Sequence, residues 1–173
     1  MYFRVIFNIL FIIIVSFLQL SFISALPGSL NNFNLILAVL VFILSLGGLD
    51  LALWWAIGAG FLLDIFSFYP FGVFLISLSL SIVFINLLLT NFFTNRSLYS
   101  FFGLTVFFTL LYSFMLNMFF YFLPPVDAET ILFIFNEKFW VNLSDRIFLN
   151  LILVLIIFYI INFAGNRLKP AFL

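Results

Sequence analysis

The residues able to do chemistry in this chain are few, and Asp64 is foremost among them. It stands in Gly60-Phe61-Leu62-Leu63-Asp64-Ile65, well inside an apolar run. An ionised carboxylate at that depth in a membrane costs about 2.5 kcal/mol or more, so such residues usually face the bundle interior and have a partner or a task. Gly60 lies four residues earlier, on the same helical face, where its missing side chain lets another backbone approach. The chain has no His and no Cys. That removes most soft metal sites, any disulfide framework and every His- or Cys-based nucleophile arrangement. Only Asp64 and scattered serines remain, with no base–nucleophile spacing, so an intramembrane enzyme is a weak reading. What is left is hydrogen bonding and charge pairing, which is the chemistry of binding.

The elements that must position these groups follow from composition. Of 173 residues, 67% are hydrophobic and 7% charged, against about 25% charged in a soluble domain. Too few polar side chains remain to cover a water-facing surface, so a single domain, residues 1–173, is expected in a bilayer. A net charge of zero with no basic run leaves no footprint for nucleic acid. No glycine-rich phosphate loop occurs, and no cofactor is expected.

A membrane crossing needs roughly 20 mostly apolar residues. Six apolar runs qualify or nearly qualify: Val5 to Leu26, Phe33 to Leu46, Leu51 to Phe68, Phe71 to Leu89, Leu98 to Leu123 and Ile147 to Phe163. The first is longer than the h-region of a signal peptide, typically about 7–15 residues, and reads as a retained helix. The second and third are short, so each is tilted, extended past its glycines or half-spanning. Pro27-Gly28, Gly47-Gly48, Tyr69-Pro70 and Pro124-Pro125 punctuate the runs. The mixed segment from Ala128 to Asp145 reads either as an amphipathic outer helix, with Ile131, Leu132, Phe135 and Phe139 on one side, or as plain loop.

Orientation follows from the basic residues. With six crossings and a cytoplasmic N-terminus, Arg4, Arg96, Arg167 and Lys169 lie inside while Lys138 and Arg146 lie outside. The excess favours six helices with both termini cytoplasmic. Trp54, Trp55, Tyr69, Tyr121 and Trp140 then fall near interfaces.

In that topology Asp64 lies about 6 Å below the outer surface, roughly four residues from the helix end. Asn34 opens the second helix, Asn150 lies about one turn inside the sixth, and Arg146 precedes it by one turn on the same face. Tyr69-Pro70-Phe71-Gly72 makes the outer turn. Asn34, Gly60, Asp64, Gly72, Arg146 and Asn150 are therefore expected in the outer half of the bundle, as a polar cluster or shallow pocket. Asp64 is expected to accept hydrogen bonds from Asn150 or Arg146. Ser77, Ser79 and Ser81 are expected to bond back to their own helix, and Asn86 and Asn117 to join helices to one another.

The run Gly60-x3-Asp64-x7-Gly72, near the outer end of the third of six short-looped helices, resembles the rod shape-determining protein MreD family. Chain length, Asn34 and Asn150 look similar too, and the resemblance covers essentially the whole chain. Phe33 stands where that family often has proline, and no proline precedes Asn150. The resemblance implies a noncatalytic subunit of the bacterial elongation machinery, in the cytoplasmic (inner) membrane. Its partners would be MreC, the transpeptidase and glycosyltransferase that build lateral peptidoglycan, and indirectly the MreB filaments. It also implies an all-α fold similar to the substrate-binding subunits of energy-coupling-factor transporters. A vitamin-binding subunit of such a transporter is the alternative function. That alternative needs several convergent polar groups and a small-xxx-small helix for its energising partner, for which Ala56-x3-Gly60 is a poor substitute.

Overall fold

In the computed structural model, which describes residues 2–23, 25–67, 69–93, 97–122 and 137–168, the six apolar runs become six helices. Helix α1 (Tyr2–Phe17) runs on into a π-helical turn, Leu18–Ile23. A 3-10 turn, Gly28–Asn32, leads to α2 (Leu35–Gly47). Then come α3 (Leu49–Phe66), α4 (Val73–Asn91), α5 (Leu98–Phe122) and α6 (Glu137–Leu168). All six, with their flanking turns, contain a stretch long and apolar enough to cross a membrane. The chain is an all-helical, multi-pass membrane protein.

Helix α2 is apolar on nearly every side, and a helix of that kind belongs in the middle of a bundle. Ile36, Leu37, Ala38, Leu40, Val41, Phe42 and Leu44 are all buried, and the helix packs on α3, α5 and α6. Helices α3 and α4 make the most extensive pair, while α1 packs mainly along α3. Helix α5 buries Phe101, Leu104, Phe108, Tyr112 and Leu116, a three-and-four spacing that presents one face to the core. The turn between α2 and α3 is as tight as its glycines promised: α2 ends at Gly47, and Gly48 alone separates it from Leu49.

Several expectations need correction. Helix α6 starts at Glu137 rather than near Ile147. No Gly or Pro interrupts residues 137–147, so the helix persists beyond its apolar stretch into its charged turns. The second half of the presumed amphipathic segment is thus the start of α6, and residues 128–136 lie outside those described. Trp54 and Trp140 are exposed, whereas Trp55 is buried in the bundle, with its ring edge against Phe11 at 5.5 Å. Ser77 and Ser81, one turn apart, share the buried face of α4. The hydroxyls of Ser77, Ser79 and Ser81 find no hydrogen-bond partner among the described residues. Asn117 donates to the carbonyl of Ser113 in its own helix, 2.8 Å away, not to a neighbouring one.

Candidate functional site

The 13 residues of α2 cover about 20 Å at 1.5 Å each, well short of a hydrocarbon core about 30 Å thick. The chain makes up the difference with the stretch from Leu26 to Asn34, which holds the 3-10 turn, and backbone outside an α-helix must have its polar groups satisfied among apolar helices. Gln19, in the π-helical turn, satisfies two of them. Its Nε2 donates to the Phe33 carbonyl at 3.0 Å, and its Oε1 accepts from the Leu35 N–H at 2.8 Å. Asn34 caps α2 by accepting from the Leu37 N–H at 3.1 Å, as a side chain at that position commonly does.

From Asn34 a chain of bonds crosses the bundle. The Asn34 N–H donates to Asn150 Oδ1 at 2.8 Å, and Asn150 Nδ2 donates to Thr109 Oγ1 at 3.2 Å. The Thr109 hydroxyl donates in turn to the Thr105 carbonyl at 2.8 Å. Asn150 is fully buried, so each of these bonds protects a polar group that would otherwise cost about 1–3 kcal/mol. Arg146, one turn earlier on α6, donates from Nε to Asn32 Oδ1 at 3.3 Å.

These groups surround a cavity of about 230 Å³ at the end of the bundle where α2 begins. Asn31, Asn32 and Arg146 line it toward its more exposed side, and Asn150, Thr109 and Ser113 are its buried members. Leu37, Leu63 and Leu116 supply apolar wall. Of the six residues singled out from the sequence, Asn34, Arg146 and Asn150 meet here.

Asp64 does not meet them. Its side chain is 3% exposed, and its two oxygens accept from the backbone N–H groups of Phe74 and Leu75, at 2.9 and 3.1 Å. The expected bond to Asn150 or Arg146 is replaced by an N-terminal cap supplied across the gap from α3 to α4. The first N–H groups of a helix have no partner within it, and the positive end of the helix dipole faces the carboxylate. Gly60 makes the approach possible: a Cβ there would come within 2.6 Å of Leu75 Cα. Gly72 closes the loop with φ of 101°, a left-handed conformation that side chains disfavour. Gly60, Asp64 and Gly72 form one packing unit behind the pocket wall, to which Leu63 and Phe74 contribute.

Gln19, Asn31, Asn32, Thr109, Tyr112 and Ser113 were not singled out. Gln19 carried the same signal as Asp64, a polar side chain inside an apolar run, and Asn31-Asn32-Phe33-Asn34 is a cluster of amides. Replacing Gln19 by Leu is expected to leave the Phe33 carbonyl and Leu35 N–H unsatisfied and to destabilise the protein by about 2–3 kcal/mol. Thermal unfolding in detergent would register this, and a melting temperature unchanged from wild type would contradict it. No family model matches the chain, and no curated protein or solved structure matches it either.

Proposed function

We propose that the chain is a noncatalytic membrane subunit of the bacterial cell-elongation machinery, holding MreC and the peptidoglycan synthases together in the cytoplasmic membrane. The observation that carries this reading is the unit formed by Gly60, Asp64 and Gly72. These residues carry the resemblance to the MreD family, and their spacing has a single geometric reason: Asp64 caps α4 where Gly60 lets it approach. A spacing that chance could produce in an apolar sequence thus has a defined role, which strengthens the likeness.

The cavity of about 230 Å³ favours a second reading, a solute-binding transporter subunit. Two features weigh against it. The volume falls below the roughly 300–1,000 Å³ of pockets for drug-sized ligands, so a vitamin would fit poorly. Ala56 and Gly60 are buried inside the bundle, where they pack helix to helix and offer no face to an energising partner.

Depletion in a rod-shaped host separates the two. The first reading expects cells to round and MreC to co-purify with the tagged chain, with vitamin uptake unchanged. Reduced uptake in cells that keep their rod shape would replace it with the second.

A further inference from the structure

The lining of the pocket has an uneven charge. Arg146 brings a guanidinium cation, while among the described residues no Asp or Glu lines the cavity. The guanidinium spends its Nε on Asn32, and its two terminal nitrogens have no partner among the described residues. Ser113 is 1% exposed, lines the same cavity, and its hydroxyl has no hydrogen-bond partner among the described residues. Asn31, Asn34 and Tyr112 line the same cavity. A half-buried cation with no carboxylate beside it in the cavity lining, and a buried hydroxyl with nothing to bond, both among the described residues, are costly arrangements. One occupant relieves both: a small anion that accepts hydrogen bonds.

We propose that this pocket binds a compact anionic group, a phosphate or phosphate ester, with Arg146 as its charge partner and Ser113 as a donor at its floor. The cavity is too small for a large solute but takes a headgroup-sized one. The phosphate comes either free in solution or as the headgroup of an anionic lipid, and the chemistry of recognition is the same for both. A guanidinium suits it because paired N–H groups match neighbouring phosphate oxygens. The proposal rests on the pocket alone and is independent of which function above is correct.

The test uses the full chain purified in neutral detergent, with thermal unfolding as the readout. Inorganic phosphate is one probe; phosphatidylglycerol against phosphatidylcholine in mixed micelles is the other. A ligand that binds only the folded state raises the melting temperature by mass action. Wild type and Arg146→Lys are expected to be stabilised, whereas Arg146→Gln is expected to bind about 10- to 100-fold more weakly. A shift with inorganic phosphate identifies a free anion, and a shift with phosphatidylglycerol alone identifies a lipid headgroup. Ser113→Ala is expected to weaken the same response several-fold, and it serves in place of Arg146→Gln should that variant not fold. If neither probe stabilises wild type more than these variants, the proposal fails.

Discussion

Gly60→Ala is expected to be among the most damaging single substitutions in the chain, although it adds only one methyl group. That methyl would lie 2.6 Å from Leu75 Cα and 3.0 Å from its nitrogen. Both are backbone atoms of α4, which cannot swing aside as a side chain can. Helices α3 and α4 would have to separate, and their contact is the largest in the bundle. Overpacking alone costs about 1–3 kcal/mol. Separation also pulls Asp64 away from the N–H groups it caps, at about 1–3 kcal/mol for each group left bare. A loss of about 3 kcal/mol or more is therefore expected in detergent unfolding. Gly58→Ala is the control. Its methyl would meet only Ile12 side-chain atoms at 3.3 Å, which can adjust, and the expected loss is under about 1 kcal/mol. Equal losses for the two variants would refute a special role for the α3–α4 approach.

The second large effect belongs to Asp64→Ala. It removes both acceptors at the start of α4 and leaves the Phe74 and Leu75 N–H groups buried without partners. The expected loss is about 2–5 kcal/mol, from the cap itself and the two orphaned donors. Asp64→Asn should do better, because its amide oxygen still accepts one bond. Its NH₂ group, however, would face the second N–H, donor against donor. An intermediate melting temperature for Asp64→Asn is expected, between wild type and Asp64→Ala. Since Gly60 and Asp64 act on one contact, their double variant should lose less than the two singles together, by about 1 kcal/mol or more. Strict additivity would mean that the two residues act independently.

The spans were legible because length and hydropathy suffice to find them, and the polar cluster was legible because Asn34, Arg146 and Asn150 share one end of the bundle. The partners of Asp64 were not. They are backbone N–H groups of residues 74 and 75, which every residue except proline carries, so no side-chain type at those positions marks them. Asp64 takes neither a basic nor an amide side chain because the unmet need lies at the start of α4. The contact between Arg146 and Asn32 was hidden for another reason. It joins residues 114 apart in sequence across a turn whose path hydropathy does not reveal. Helix α6 begins earlier than its apolar run because hydropathy reports where a helix enters lipid, and not where its hydrogen bonding starts.

The cap that joins α3 to α4 also bears on how the protein is made. Asp64 precedes its two donors by only ten and eleven residues. A nascent chain that delivered α3 alone to the bilayer would expose a carboxylate to hydrocarbon, and α4 alone would expose unpaired N–H groups. Delivered together, each supplies what the other lacks. The α3–α4 hairpin is thus the smallest piece of this protein in which these groups are matched, and the natural unit of its biogenesis. A chain arrested between the two helices would present the membrane with a carboxyl group and no donor to meet it.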